Sequence, residues 1–196
     1  FHYNEPAKGR FSIQPCYTGI VDLAPFDSVQ SYLSSIRELR RREYGKSQKA
    51  GCRVVEADNE EALVSLFTET FARQGITCPA EQTGFVARAT RAALRARAGR
   101  VFHCLSAEGE IISAALFLYG ARTADYLFGG NSSKAASCGS GTRVMVDAFF
   151  AGRSRDSASV DLLGLNSPGR GDFKASFNAK PSLYFQVHWD GSSRSE

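Results

Sequence analysis

Long apolar runs, clustered histidines and paired cysteines are what this 196-residue chain lacks. No run is long enough to cross a membrane as a helix, and the longest, Ile111 to Tyr119, suits a central strand instead. No basic start followed by an apolar stretch and a small-residue cleavage site marks a secretory signal. The three histidines, His2, His103 and His188, stand far apart, so no metal site is expected. Five cysteines (Cys16, Cys52, Cys78, Cys104 and Cys138) are an odd number and include no CxxC pair. That argues against a disulfide framework or zinc cluster and predicts a reducing, cytoplasmic setting. Internal repeats and low-complexity tracts are missing too. Opening on Phe1 rather than methionine, the chain reads as processed or incomplete at its front.

What is present is enough apolar sequence, 43% of residues, for one good core. The net charge of +4 is mild but unevenly spread. Ile36 to Arg53 carries Arg37, Arg40, Arg41, Arg42, Lys46, Lys49 and Arg53 against Glu38 and Glu43, and Arg88 to Arg100 has no acid at all. Two basic segments suit a polyanionic ligand such as nucleotide phosphates or RNA; they suit solvated helix faces equally.

Periodicity sets out the elements. Tyr17 to Leu23 reads as a strand. Asp27, with Gln30 three residues on, reads as a capping box for a helix carrying Val29, Tyr32, Leu33, Ile36 and Leu39 and running to about Gly45. Arg53 to Ala57 is a short strand. Asp58 and Glu61 predict the start of a helix with Leu63, Leu66, Phe67 and Phe71 on one face. Glu81 to Ala98 predicts a second, with Phe85, Ala89, Ala92 and Ala96 inward. Val101 to Ser106, Ile111 to Tyr119 and Ala124 to Gly129 form a three-strand meander, joined first through Glu108-Gly109. A helix from Thr142 to about Gly152, a strand from Val160 to Leu165, a short helix and a last strand from Ser182 to His188 complete the order. That order predicts an α+β, or mixed α/β, domain with a central antiparallel meander. Residues 1–50 divide off as an arm, strand and basic helix, 51–189 as the main domain, and 190–196 as a disordered tail.

The stretch from Asp161 to Phe177 bears most directly on function. A buried strand breaks into Asn166-Ser-Pro-Gly-Arg-Gly171, then into a helical turn with Phe173 and Phe177 four apart. Lys174 cannot share their direction and leans toward the strand end or solvent. A cation beside a glycine-rich loop at a strand end makes an oxyanion-binding corner, or a connection with a solvated lysine.

The order of elements resembles the Gcn5-related N-acetyltransferase (GNAT) fold. Tyr17 to Leu23, Arg41 to Gly51, Leu66 to Gly75, Tyr126-Leu-Phe-Gly-Gly130, Asp161 to Gly164 and Phe173-Lys174 are similar to the second domain of FemAB-like proteins. That family holds bacterial aminoacyl transferases of peptidoglycan cross-bridges and GNAT-like proteins of exopolysaccharide synthesis. The resemblance implies an acyltransferase joining an activated acyl or aminoacyl group to an amine acceptor. It also implies a partner, an N-terminal GNAT-like domain that is not in this sequence. The co-substrate is acetyl-coenzyme A or aminoacyl-tRNA, with no tightly bound cofactor. In GNAT proteins a helix start holds the donor's pyrophosphate after a pattern of Arg or Gln, two residues, Gly, any residue, and Gly or Ala. Here Ala136-Ser-Cys-Gly139-Ser-Gly141 keeps the glycines and replaces the Arg or Gln, which leans toward aminoacyl-tRNA. The resemblance assigns donor binding to Gly139, Ser140, Gly141 and Thr142, ligand contact to Arg41 and Phe173, and chemistry to Lys174. Tyr126 is a proton donor or relay, or half-buried packing. His103 and Asp161 read as structural, and no triad or carboxylate pair is assigned. A coenzyme A-dependent N-acetyltransferase and a non-catalytic domain binding RNA or a partner protein are the rival readings.

Overall fold

The computed structural model describes residues 11–153 and 157–189. Strand β1 (Phe11–Asp22) leads into two short helices, α1 (Val29–Leu33) and α2 (Glu38–Lys49). Strand β2 (Arg53–Ala57) precedes the helices α3 (Glu61–Arg73) and α4 (Ala80–Arg95). The meander is β3 (Gly99–Leu105), β4 (Ile111–Tyr119) and β5 (Thr123–Asn131). Then come α5 (Ala135–Cys138), α6 (Ser140–Arg153), β6 (Ser159–Asp161), α7 (Pro168–Ala175) and β7 (Lys180–Trp189). All seven strands share one mixed sheet, in the order β2-β3-β4-β5-β6-β1-β7, and only β5 and β6 run parallel. The predicted α+β class and meander are therefore those of the molecule. Residues 11–22 are built into the same sheet as the strands that follow residue 51. The predicted tail at 190–196 lies outside the described residues, as do residues 1–10.

Helices cover both faces. Leu63, Leu66 and Ala93 of α3 and α4 pack with Val101, Ala114 and Leu116 on one side. Val144, Ala148 and Phe149 of α6 meet Phe102, Phe117 and Val160 on the other, beneath Tyr32 and Tyr44. Covered on both faces, β4 is buried continuously from Ile112 to Phe117, a stretch whose one polar side chain is Ser113.

Three local expectations change. The first helix is capped by Ser28 with Ser31, not by Asp27 with Gln30, and it breaks after Leu33 into separate helices. The Ser28 hydroxyl takes the N-cap position, while Asp27 accepts from Ser31 at 2.9 Å. On α3 the N-cap is Glu60, whose carboxylate is drawn to Arg91 and makes no side-chain cap to the helix. On α4 the inward residues are Val86, Thr90 and Ala93 rather than Phe85, Ala89, Ala92 and Ala96. Thr90 can face the core because its hydroxyl donates to the Val86 carbonyl at 2.7 Å. Phe85 remains 55% exposed and touches Phe128 edge-on.

Two glycines explain the Tyr-Leu-Phe-Gly-Gly sequence of β5. A bulge at Leu127 shifts the register against β4, bringing Tyr126 opposite Phe117 and Phe128 opposite Leu116. The Tyr126 hydroxyl lies over Gly129, where any side chain would collide with it. Gly130 carries the α3 backbone at Leu66 and Phe67 directly against its Cα.

His103 is buried on β3, its Nε2 has no hydrogen-bond partner among the described residues, and burial lowers its pKa from 6.5. The unfolded chain takes up the proton first as pH falls. Stability is therefore expected to be full above the unfolded pKa and to drop as pH falls from there toward the folded one. The steepest slope is about 1.4 kcal/mol per pH unit. Urea melts of wild type and His103→Leu over about pH 5 to 7 check this; an equal slope in both assigns the acid sensitivity elsewhere.

Candidate functional site

The parallel pair comes apart almost as soon as it forms. β5 and β6 pair from Thr123–Ser159 to Asp125–Asp161, after which β5 continues to Asn131 while β6 ends. Asp161 ends it: its carboxylate accepts the Thr18 hydroxyl and the Leu163 N–H, the latter at 2.7 Å. Leu163 then adopts φ 56°, in the left-handed region. Beyond that turn the chain stays with β1, through Leu162 N–H to the Gly19 carbonyl at 2.8 Å and Leu165 N–H to Tyr17 at 2.7 Å. Asn166 clasps the Tyr17 backbone, accepting its N–H at 2.8 Å and donating to its carbonyl at 3.3 Å. The strand thus keeps its β1 partner and turns away from β5.

Lys174 sits at this opening. Helix α7 starts with Pro168 at its first turn, where the missing N–H costs nothing, and packs closely through Gly171 against the Leu165 carbonyl. That seating carries the Lys174 Nζ to the Leu163 and Gly164 carbonyls, at 3.1 and 3.2 Å. The ammonium also stands 5.9 Å from the Tyr126 ring centroid. Burial, and then the nearby Arg170, lower its pKa, with Asp161 pulling the other way. Burial pushes the Tyr126 phenol up to about 12, so it remains a proton donor throughout the neutral range. The two residues assigned to chemistry from sequence are therefore neighbours here.

Asp125 lies opposite Asp161 at the last paired position. Burial raises its pKa, and the Asp161 charge raises it further. An ammonium and a protonated phenol thus stand together at the opening, while Asp125, paired with Leu118, faces the other side of the sheet from Tyr126. The ammonium and the phenol provide a positive centre for a developing oxyanion and a proton donor.

The glycine turn before α6 lies in a separate cleft of about 260 Å³, lined by Arg40, Glu43, Arg73, Asn131, Thr142 and Phe173 among others. Gly139 has φ 77°, and the Glu43 backbone of α2 closes directly over its Cα. Asn131 covers Gly141, where a Cβ would fall 2.9 Å from its Oδ1. Ser140 is internal, its hydroxyl 2.7 Å from that of Ser113. Thr142 donates to the Glu43 carboxylate at 2.5 Å, and Arg40 reaches the same oxygen at 2.5 Å. Arg40 also stacks over Phe173, 4.8 Å from its centroid. Phe173 therefore joins the cleft to the Lys174 turn. Arg41 is on the exposed side of α2, away from these residues.

Sequence reasoning did not single out Glu43, Arg73, Asn131 or the Asp125–Asp161 pair as site residues. The two aspartates are separated in sequence and meet only through the parallel register. Glu43 follows Arg40 at helical spacing, which pairs them locally, but nothing local points them at Thr142. Among the described residues no group of three or more His, Cys, Asp or Glu side chains could hold a metal ion. No helix there is long and apolar enough to cross a membrane.

A mixed sheet whose single parallel pair parts beside a helix start, with an ammonium lodged in the opening, defines an acyltransferase-type fold. The family model for the acetyltransferase (GNAT) domain matches residues 34–175, and the chain belongs to that family. Its members pass an acyl group from a donor, generally acetyl-coenzyme A, to an amine. No curated protein matches the chain. Among solved structures it is similar to FemX, with a TM-score of 0.70 at 14% identity over 86% of this chain and 61% of that one. It is also similar to L-PGS from Bacillus licheniformis (TM-score 0.61, 12% identity, 94% of this chain and 63% of that one). A tandem GNAT protein from the clavulanic acid biosynthesis pathway gives 0.52 at 16% identity, over 94% of this chain and 56% of that one. These likenesses show the fold. The chain spans about three fifths of the length of the first two, 61% and 63%.

Proposed function

We propose that this chain is a FemAB-like aminoacyltransferase domain, forming an amide between an aminoacyl group carried by tRNA and an amine acceptor in cell-wall or exopolysaccharide assembly. The observation that carries the choice of donor is the covered glycine turn. A coenzyme A pyrophosphate would use the open backbone at the start of α6. Glu43 closes over Gly139 and Asn131 over Gly141, which narrows the approach to that backbone. Arg40 is already neutralised by Glu43, so it adds little attraction. In this reading the acyl carbonyl enters the β5–β6 opening. The amine nitrogen attacks it, and the Lys174 ammonium and the Tyr126 hydroxyl receive the oxyanion. The amine proton leaves with the departing ribose hydroxyl when the tetrahedral centre collapses. The exposed cations of α2, Arg41, Lys46 and Lys49, meet tRNA phosphates.

Acetyl-coenzyme A at sub-millimolar concentration is expected to leave the melting temperature unchanged, because a ligand that does not bind the native state adds no stability. tRNA binding is expected to weaken steeply with salt, and Arg41→Ala to flatten that dependence by about one neutralised phosphate. A rise of several degrees with acetyl-coenzyme A, together with salt-independent or absent tRNA binding, would replace this reading with a coenzyme A-dependent N-acetyltransferase.

A further inference from the structure

Three of the five cysteines, far apart in sequence, meet on the α6 side of the sheet. Cys104 lies on β3 opposite Val54 of β2, and Cys52 precedes Val54 by two residues, so alternation gives both cysteines the same face. Both are buried in the core that holds Val144, Ala148 and Phe149, and Cys138 of α5 packs against that core. The Cys52 thiol has the Cys138 and Cys104 thiols as neighbours, each close enough to act on it as a hydrogen-bonding group. All three are free thiols, but they differ in access and in freedom. Cys104 is fully buried, on a strand held between β2 and β4. Cys52 lies outside the strand, one residue past Gly51, whose φ is 69°. Cys138 is partly exposed at the end of the short α5, and the left-handed Gly139 follows it. Its thiol makes long bonds of 3.7 Å to the Lys134 and Ala135 carbonyls. Burial raises the pKa of Cys52 and pushes that of Cys104 up to about 12, so both are protonated in the neutral range. An oxidant in solution therefore meets Cys138 first.

We propose that Cys52 and Cys138 form a redox modification site, joined in a reversible disulfide when hydrogen peroxide reaches Cys138. The Cys138 sulfur takes one peroxide oxygen, the O–O bond breaks, and a sulfenic acid and one water result. The Cys52 sulfur then attacks the sulfenic sulfur. The S–S bond forms, the S–O bond breaks, and the Cys52 proton leaves with the departing hydroxide as a second water. The two thiols together lose two electrons and two protons, and one hydrogen peroxide becomes two waters. Cys52 is the resolving thiol because its turn can move toward α5 to reach disulfide geometry, whereas strands on both sides fix the Cys104 backbone. The bond fastens the Gly139 turn to the base of β2. That turn, with Ala135 and Gly141, lines the cleft beside α6.

Hydrogen peroxide in slight molar excess over the folded, intact chain tests this. Free thiols are expected to fall from five to three, and the intact mass to drop by two hydrogens with no oxygen added. Peptide mapping without reduction should recover Cys52 linked to Cys138, and dithiothreitol should restore all five thiols. Hydrogen exchange of the amides from Ala135 to Gly139 should slow in the oxidised chain. Cys138→Ser should abolish the loss of hydrogens, and Cys52→Ala should leave oxygen added at Cys138 instead. Cys78→Ser, which removes the other partly exposed cysteine, should leave the result unchanged. Five thiols remaining in wild type would overturn the proposal. So would oxygen added at Cys138 with Cys52 still free, a link through Cys104, or a link between two chains through Cys78. Unchanged exchange from Ala135 to Gly139 would overturn the fastening of the turn. Mapping of the wild type needs no variant to fold. The proposal does not depend on the acyl donor, since thiols, mass and exchange are read without turnover.

Discussion

Lys174→Ala is expected to lower the turnover of aminoacyl transfer by about a hundred-fold or more, the loss typical when one oxyanion donor is removed, ~3 kcal/mol. The charge stands at the opening between β5 and β6, held by two carbonyls that leave the third N–H for a ligand among the described residues. Lys174→Arg keeps the charge but changes shape and reach, and should recover only part of the rate. The pH profile separates an electrostatic role from a scaffolding one. Burial lowers the lysine pKa from 10.5, so its proton is lost at a lower pH than an ordinary lysine's. Turnover should fall as pH rises through that lowered value, and Lys174→Arg should abolish this alkaline limb. Tyr126, near 12, titrates later and does not confuse the reading. Some stability is lost as well, because the alanine leaves the Leu163 and Gly164 carbonyls without their donor, at about 1 kcal/mol. Near-normal turnover in Lys174→Ala would leave the lysine as a brace for the strand end and nothing more.

The largest effect on stability is expected at Gly130. An alanine there places a methyl group on the α3 backbone at Leu66 and Phe67, where no side chain can rotate away. Helix and strand must separate, which costs about 3 kcal/mol or more. Thermal melts should show a fall of roughly 6–12 °C. Gly45→Ala is the matched control, because nothing lies within 4 Å of the added methyl and the position is inside α2. Alanine is the better helix former, so this change should stabilise by about 0.5–1 kcal/mol. Equal melting temperatures for wild type and Gly130→Ala would show that α3 does not press on β5 as described.

The readable part of the fold was whatever repeats locally. The meander, the buried β4 and α6 follow from apolar runs and periods that need no knowledge of the partner. Helix faces were less legible. Polar Thr90 became acceptable in the core only because its hydroxyl found the Val86 carbonyl, so α4 is turned by about one residue from the apolar count. On α2, only Tyr44 and Ser47 are buried, so the sequence carried little signal to choose between Arg40 and Arg41. At the site, the local signals were the Phe-Lys turn and the glycines, and both places exist. Invisible in sequence was what lies around them: α2 over the glycine turn, and Asp125 beside Asp161. Those meetings are made by tertiary packing between segments far apart in the chain.

The brevity of β6 has a mechanical consequence. Three residue pairs are all that join the strands of β2–β5 to the β1–β7 side of the sheet, from Thr123–Ser159 to Asp125–Asp161. A ladder that short resists shear poorly, so the two halves of the sheet are coupled mainly by the side-chain packing beneath it, Phe149 against Phe117 and Phe177. The gap that holds Lys174 is consequently a line along which the two halves can shift. A load on β1 and β7 would act through a lever whose fulcrum is those three pairs, and it would be felt at the ammonium.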